Sequence, residues 1–138
     1  GELWEAARTA QAAEFIEEKP AGMQTWLGRG GKGLSGGQRQ RLTIARALAR
    51  RPELLILDDA ASALDFATDA KLRKALAEQS GRMTVITISQ RASTVRYCDR
   101  ILVLDEGGMA GLGTHDELMA TCGEYREIVL SQQDGESA

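Results

Sequence analysis

The chain has 138 residues, of which 43% are hydrophobic and 27% are charged, and its formal net charge is −3. This length is one domain's worth of sequence or part of a larger domain, and the composition suits a folded core under a charged surface. The slightly acidic balance excludes a general attraction to nucleic acid or to an acidic membrane surface. Two cysteines without a CxxC spacing indicate neither a zinc site nor a disulfide framework. No signal peptide is visible, and no apolar run approaches the roughly 18–20 residues that span a bilayer.

The first third of the chain is predicted to contain one helix and one loop. Leu3–Glu18 has helix-forming composition with apolar residues on a helical period, and a proline and a glycine follow it. Met23–Gly33 is predicted to be a loop. Its GK pair does not form the phosphate-binding pattern GxxxxGK[ST], because Trp26 and Gly33 occupy the positions that require Gly and Ser or Thr. The sequence contains no other GK[ST].

A glycine-rich turn, Ser35–Gln38, leads into a predicted helix, Gln38–Arg50. At a helix N-terminus the free N–H groups and the helix dipole favour an anion, and two glycines let a phosphate approach the backbone without meeting a Cβ. An ordinary glycine-rich turn is the alternative. Five basic residues crowd this helix and are interpreted for the most part as a solvated face: Arg39, Arg41, Arg46, Arg50 and Arg51.

Carboxylates follow the next predicted element. Leu54–Leu57 is a continuous apolar run, which predicts a parallel strand buried on both faces. Asp58 and Asp59 stand at its C-terminal end, where open α/β sheets place their ligand sites. Asp65, after a short loop, also fits a helix cap, and the cap interpretation suits Asp65 better than Asp58.

The remaining residues predict alternating helices and strands. In chain order these are a helix at Phe66–Gln79, a strand at Met83–Ile88 with Gln90 just beyond it, a short helix at Ala92–Cys98, a strand at Arg100–Leu104, and a hairpin turn at Asp105–Gly108 leading to Met109–Leu112. His115, the only histidine, stands at an expected helix N-terminus and is interpreted as structural. The polar tail after Gln132 is predicted to be disordered.

The order LSGGQRQR, ARAL, LLILDDA and SALD resembles the nucleotide-binding domain of ABC transporters, and GTHDEL at 113–118 resembles the exporter branch. LSGGQ is similar to the signature motif, Leu54–Asp58 to Walker B, and Ser62–Asp65 to the D-loop. The resemblance covers nearly the whole chain and implies an α/β fold of the P-loop NTPase (RecA-like) ABC ATPase type, with a helical signature subdomain and parallel strands flanked by helices. The Walker A half, which in the family precedes residue 1, is missing, so the chain resembles the second half of such a domain.

The resemblance also implies three segments with different roles. Residues 1–51 would be the end of the helical subdomain with the signature motif, 52–113 the Walker B, D-loop and switch part of the core, and 114–138 the C-terminal helices and polar tail. Exporters usually have a TxxGExG pattern in the loop before the signature. Here Arg29 stands at the position aligned with the Glu, which reverses the charge there.

The site residues implied by the resemblance bind ATP and Mg²⁺. Asp58 would hold Mg²⁺ through water, Asp59 and Gln90 would stand at the catalytic-base and switch positions, and nucleotide would be bound by Ser35, Gly36, Gly37, Gln38 and Asp65. The family normally has Glu and His at positions 59 and 90. Asp is one methylene shorter than Glu, and a misplacement on the order of 1 Å can cost ~10²-fold in rate. Gln can donate a hydrogen bond to phosphate but cannot take a positive charge as His can.

An intact signature beside a weakened catalytic pair resembles one chain of a heterodimeric exporter with one degenerate ATP site. The implied function is ATP hydrolysis that drives export, at the cytoplasmic face of the cell membrane. The implied partners are a second ABC nucleotide-binding domain and the transmembrane domain of the same full-length chain, with no nucleic acid. Ser35, Gly37 and Gln38 would act in trans on the ATP bound to the Walker A of the second domain. One alternative is a soluble ABC ATPase acting on nucleic acid or ribosomes, for which coiled-coil arms or basic linkers are expected and absent. Another is a folding or interaction module, because the isolated 138 residues are expected to be inactive.

Overall fold

The computed structural model describes residues 1–79 and 81–136. The elements in chain order are helices α1 (Glu2–Thr9) and α2 (Ala13–Glu17), a 3-10 turn (Gly22–Gln24), α3 (Gly36–Leu48), β1 (Leu54–Asp58), α4 (Phe66–Ala77), β2 (Thr84–Ile88), α5 (Ala92–Val95), β3 (Ile101–Asp105), β4 (Gly108–Gly113), α6 (His115–Thr121) and α7 (Gly123–Glu136). They form two compact units, of which the first is Gly1–Ile88 and the second begins at Ser89. The three-part division by function stays a prediction.

One of the two buried clusters of the first unit lies on one face of a parallel pair of strands. β1 and β2 pair in parallel from Leu54 opposite Thr84 to Asp58 opposite Ile88, so the prediction that β1 is a parallel strand is confirmed. Helices α3 and α4 cover one face, where the buried apolar side chains form a single cluster: Ala10, Ile44, Ala45, Leu55, Leu57, Leu64, Leu72 and Leu76.

The prediction that β1 is buried on both faces is wrong for this chain. Leu55 and Leu57 are 4% and 8% exposed, whereas Leu54 and Ile56 are 50% and 57% exposed. Successive side chains of a strand point to opposite faces, so each face of the sheet takes every second residue. The described part of the chain provides helices for only one of these faces, and the apolar run therefore leaves an open face on β1 and β2.

The predicted single helix at Leu3–Glu18 is two helices. The break falls at Gln11, which has a left-handed φ of 59°, and its side-chain amide donates to the carbonyls of Arg8 and Thr9 at the end of α1. The bend buries Ala10 and Ala12 completely. Small side chains at these two positions allow close packing, so tertiary burial overrides the helix-forming composition of the segment.

The second unit is an antiparallel hairpin packed on helices. β3 and β4 pair from Ile101 opposite Gly113 to Asp105 opposite Gly108, which confirms the predicted hairpin. Glu106 and Gly107 both have positive φ, as a tight two-residue hairpin turn requires. The buried cluster joins this hairpin to α5, α6 and α7 and consists of Ala92, Ile101, Val103, Leu118, Cys122, Tyr125 and Val129.

The C-terminal residues are more ordered than the sequence suggests. The predicted disordered tail after Gln132 is wrong for residues 133–136, because α7 continues to Glu136, and 137–138 lie outside the described residues. The helix is held by its buried face, where the Tyr125 hydroxyl and the Nδ1 atom of His115 are 2.8 Å apart. This contact agrees with the structural interpretation of His115.

Across the described ranges, none of the helices has both the length and the apolar character that crossing a bilayer would require.

Adjacent leucines of β1 provide a matched test of the two faces. We expect Leu55→Ala to lower the free energy of unfolding of the 138-residue chain by about 2–5 kcal/mol, because it leaves a cavity in the core. Leu54→Ala, on the open face, should cost about 0.5 kcal/mol or less. Urea denaturation measures both. Equal losses for the two variants would show that the open face is covered in solution.

The cap of α4 predicts a pH dependence. Asp65 precedes α4 and accepts hydrogen bonds from the backbone N–H and the hydroxyl of Thr68, and these bonds, the backbone one first, hold the pKa of its carboxyl below 3.8. A lowered pKa means that the folded chain prefers the charged form. Its contribution to stability is therefore present above the unfolded-state pKa and is lost as pH falls through the folded-state value.

Asp65→Asn keeps a capping side chain but removes the titration. We expect urea denaturation at neutral pH and at about pH 3 to show a smaller acid-induced loss of stability in this variant than in the wild type. An identical pH dependence of the two proteins would refute the assignment of the lowered pKa to the Asp65 cap.

Candidate functional site

Helix α3 begins with a capping box. The Oγ atom of Ser35 accepts a hydrogen bond from the N–H of Gln38 at 3.1 Å, and the Oε1 atom of Gln38 accepts one from the N–H of Ser35 at 3.0 Å. The first N–H groups of a helix lack intrahelical acceptors. Since the box uses only that of Gln38, the N–H groups of Gly36 and Gly37 remain for an external acceptor. The Ser35 hydroxyl hydrogen and the Gln38 amide hydrogens are further donors at this end.

The two glycines of this turn have different environments. A Cβ on Gly37 would lie 3.0 Å from the carbonyl oxygen of Ala63 and 3.6 Å from a methyl of Leu64. A Cβ on Gly36 would lie 3.7 Å from the Cβ of Ala63, an ordinary contact. Gly37 is therefore required by packing within the chain itself, because α3 approaches the backbone of the loop after β1 too closely for a side chain. Gly36 leaves its backbone accessible to a ligand.

An open cavity of about 360 Å³ lies between the start of α3 and the start of α4. One wall comes from the first turns of α3 and the other from the end of the 59–65 loop and the first turn of α4. The lining residues are Ser35, Gly36, Gly37, Arg41, Ala63, Leu64, Asp65 and Thr68. The structure thus brings four predicted nucleotide-binding residues to one cavity, with Gln38 bonded to one of them.

Arg41 supplies the positive charge of this cavity. Its guanidinium donates to the carbonyl of Gln11 at 2.7 Å and to that of Gly37 at 3.4 Å, and its Cζ lies 4.8 Å from the centre of the Phe15 ring. These contacts fix the cation in place. Its positive charge also lowers the pKa of Asp65, although less than the hydrogen bonds from Thr68 do. The interpretation of the arginine cluster as a solvated face therefore does not apply to Arg41.

Gln40 has a role that the sequence interpretation missed. Its Nε2 atom donates to the Oγ atom of Ser62 at 3.0 Å, and its Oε1 atom accepts from the N–H of Ala63 at 3.1 Å. The side chain thereby ties α3 to a loop that lies 22 and 23 residues further along the chain. Spacing in the sequence gives no signal for such a long-range pair.

Asp58 and Asp59 are exposed at the C-terminal end of β1, as predicted. The N–H of Asp59 donates to the carbonyl of Ile88 at 2.8 Å, which fastens the start of the loop to the end of β2. Asp59 has a left-handed φ of 50°, a conformation that Asp and Asn adopt more readily than most residues. Neither residue lines the cavity at the start of α3.

Gln90 belongs to the second unit and is held there by its backbone. Its carbonyl accepts a hydrogen bond from the Nε2 atom of Gln132 at 2.6 Å, and the Oε1 atom of Gln132 accepts from the N–H of Ala92 at 2.8 Å. Gln132 thus satisfies the first N–H of α5, for which the residue before the helix offers no side-chain cap. The Gln90 side chain itself is exposed.

The described residues do not form a metal site by themselves. Across the described ranges, no group of three or more His, Cys, Asp or Glu side chains is close enough to hold a metal ion. A Mg²⁺ ion commonly binds one or two carboxylates and completes its coordination with water and substrate phosphates. The exposed Asp58 carboxylate at a strand end fits that chemistry.

Comparison with known proteins agrees with the motifs. The profile of the ABC transporter family matches residues 2–62. An uncharacterized ABC transporter ATP-binding protein of Mycobacterium tuberculosis is 47% identical over 131 residues, which are 95% of this chain and 22% of that protein. The ATP-dependent lipid A-core flippase of Vibrio cholerae is 46% identical over 92% of this chain and 22% of its own length. The chain thus spans about a fifth of the length of these relatives.

A solved structure extends the agreement to the fold. A bacterial Atm1-family ABC exporter with ATP bound aligns with 96% of this chain and 23% of its own, at 39% identity and a TM-score of 0.88. The predicted α/β fold of the ABC ATPase type is thereby confirmed. The chain therefore has the fold of an ABC ATPase domain fragment, and over nearly its whole length it is similar to ABC transporters of the exporter type.

Proposed function

We propose that this chain is an ATP-binding and ATP-hydrolysing segment of an ABC exporter, in which ATP binding and hydrolysis drive export across a membrane. The observation that supports it best is the start of α3, where two glycine N–H groups and a serine hydroxyl border an open cavity beside a fixed arginine. Such a helix N-terminus suits a phosphate group. The names of two relatives, a lipid A-core flippase and a glucan export protein, support transport as the work that hydrolysis drives.

The signature residues Ser35, Gly36, Gly37 and Gln38 would act in trans on a nucleotide held by a second nucleotide-binding domain. The 138 residues contain no GxxxxGK[ST] loop, so the cradle for the phosphates lies on other residues. The donors at the start of α3 would then close over phosphates that are bound elsewhere. The D-loop residue Asp65 would border the same nucleotide while its carboxylate caps α4.

The chain's own ATP site would use Asp58, Asp59 and Gln90. Asp58 shares the open face of the sheet with Leu54 and Ile56, since alternate residues of a strand point the same way, and it would hold Mg²⁺ through water. When bound, Mg²⁺ neutralises charge that develops on the phosphate oxygens. Asp59 would orient or deprotonate the attacking water, and Gln90 would donate a hydrogen bond to the γ-phosphate.

This own site is proposed to be degenerate. The Asp59 carboxylate is one methylene shorter than the Glu that the family uses, and Gln90 cannot take up a proton as His does. The full-length protein would therefore work as a heterodimer, in which a partner with Glu and His performs most of the turnover.

The transmembrane partner would be a domain of the same full-length chain. The chain's share of its relatives, about 22% of their length, leaves room for such a domain, and one relative is named a combined ATP-binding and permease protein. The nucleotide-binding domain would then lie at the cytoplasmic face of the cell membrane. ATP turnover by the full-length protein, alone and with candidate partners, tests the proposal, and turnover only in the presence of a partner supports it.

The isolated 138-residue chain should bind ATP weakly or undetectably. The reason is that Asp58 and the α3 turn have no phosphate cradle of the GxxxxGK[ST] kind beside them in this chain. Isothermal calorimetry with Mg-ATP measures this, with Mg²⁺ alone as the control. Tight binding would mean that the chain forms a complete site by itself, contrary to the proposal.

Variants of Asp59 in the full-length assembly test the degenerate site. Asp59→Asn suits the left-handed backbone equally well but removes the charge, and we expect ATP turnover to stay within about twofold of wild type because this site contributes little. Asp59→Glu should raise turnover, by up to ~10²-fold at this site if reach is the deficit. The control is loss of the partner's catalytic Glu, which should abolish most activity. If Asp59→Asn is equally damaging, the site is competent.

A further inference from the structure

The open cavity at the start of α3, the signature cavity, is lined on one side by the first turns of α3. Its other side is lined by the end of the 59–65 loop and the first turn of α4. The backbones of α3 and the loop touch at Gly37, where there is no room for a Cβ beside the Ala63 carbonyl. Leu64, at the end of the loop, is buried in the same cluster as Ile44 of α3. These contacts between the walls are apolar or steric, so they are not directional.

Gln40 provides the directional contacts that apolar packing lacks. It lies one turn after Gly36 and Gly37 on the helix, behind the cavity rather than in its lining. Its carboxamide both donates to Ser62 and accepts from Ala63, and among the described residues the Ala63 N–H has no other acceptor. Gln40 is therefore the one acceptor, of the residues described, that orients the Ala63 N–H.

The same contacts continue to the loop's first residue. The N–H of Ser62 donates to the carbonyl of Asp59 at 3.2 Å, and the N–H of Asp59 donates to Ile88 at the end of β2. A hydrogen-bonded path thus runs from Gln40 through Ser62 and Asp59 to the sheet. Loss of the contact between Gln40 and Ser62 would therefore also change the position of Asp59, at the start of the loop.

We propose that Gln40 is a positioning residue for ATP hydrolysis, which sets the spacing between the signature turn and the 59–65 loop. This inference rests on the proposed function of the signature cavity. Gln40 does not touch the nucleotide. It fixes the wall against which Ser35 and the glycine N–H groups present their donors, and a shift of about 1 Å between donors and phosphate is enough to slow a reaction ~10²-fold.

The two hydrogen bonds of the Gln40 carboxamide determine which variants are compared. Gln40→Met keeps the length and most of the volume of the side chain but loses both hydrogen bonds. Gln40→Glu keeps an acceptor for the Ala63 N–H, and the Ser62 hydroxyl can rotate to donate to the carboxylate. Gln79→Met makes the same chemical change in the same unit at a side chain that forms no hydrogen bond within the described residues, and is the matched control.

Hydrogen exchange of the Ala63 amide in the 138-residue chain tests the contact without any ATPase assay. We expect exchange to be at least about tenfold faster in Gln40→Met than in wild type, and unchanged in Gln79→Met, because only the first variant removes the acceptor. Gln40→Glu should restore protection. Unchanged exchange at Ala63 in Gln40→Met would overturn the proposal.

ATP turnover of the full-length assembly tests the role. Gln40→Met should lower kcat by roughly 10- to 100-fold while the KM for ATP and the melting temperature stay close to wild type, and Gln40→Glu should recover most of the loss. An unchanged kcat would overturn the positioning role. So would a loss of kcat that comes with an equal loss of thermal stability, because that result describes a merely structural contact.

One further variant separates this inference from the proposed function. Gly36→Glu introduces a negative charge at the signature turn, where a Cβ has room, and should abolish turnover if the turn binds phosphate. If Gly36→Glu is inactive and Gln40→Met is fully active, only the positioning role fails. If Gly36→Glu is as active as wild type, the signature function itself fails and the proposal for Gln40 fails with it.

Discussion

The close approach of helix α3 to the carbonyl of Ala63 is the contact on which the candidate site depends. It requires a glycine at position 37, and it brings the loop after β1 under the first turn of the helix. Leu64 enters the core beside it, so the loop is anchored by burial at one end and by the bond from Asp59 to β2 at the other. With both ends fixed, a seven-residue connection becomes a rigid wall. The cavity has this shape because Gly37 allows the approach without a side chain between helix and loop.

The capping box at the start of α3 stabilises the helix but uses only some of the hydrogen-bond donors there. The capping box uses the backbone N–H groups of Ser35 and Gln38, with the Gln38 Oε1 and Ser35 Oγ atoms as acceptors, which leaves the hydroxyl hydrogen and two glycine N–H groups for a ligand. Arg41 and Asp65 border the same cavity with opposite charge. A cation held by Gln11 and Phe15 offsets the carboxylate that caps α4, so the cavity is not repulsive to phosphate.

The sequence alone predicts most of the elements, and the reasons for the exceptions are physical. Periodicity and capping residues depend on neighbours in the chain, so the α3 turn, the strands β1 and β2 and the 105–108 hairpin could be predicted. The break at Gln11 arises because Ala10 and Ala12 are drawn into a core that sequence spacing does not reveal. The apolar run shows that both faces of β1 could be buried. Burial of a face also requires another element packed against it, which sequence spacing does not reveal. Gln40, Arg41 and Gln132 act across 22 to 42 residues, where no local pattern gives a signal.

Helix α7 also connects an exposed apolar surface with the backbone at Gln90. Tyr125 and Val129 are buried on its packed side, whereas Ile128 and Leu130 are exposed. Gln132, near the end of the same helix, donates to the Gln90 carbonyl at 2.6 Å. A displacement of the helix by about 1 Å away from Gln90 would break this hydrogen bond, because a donor and an acceptor that far apart no longer form one. A partner that binds to Ile128 and Leu130 and moves α7 would therefore release the backbone at Gln90.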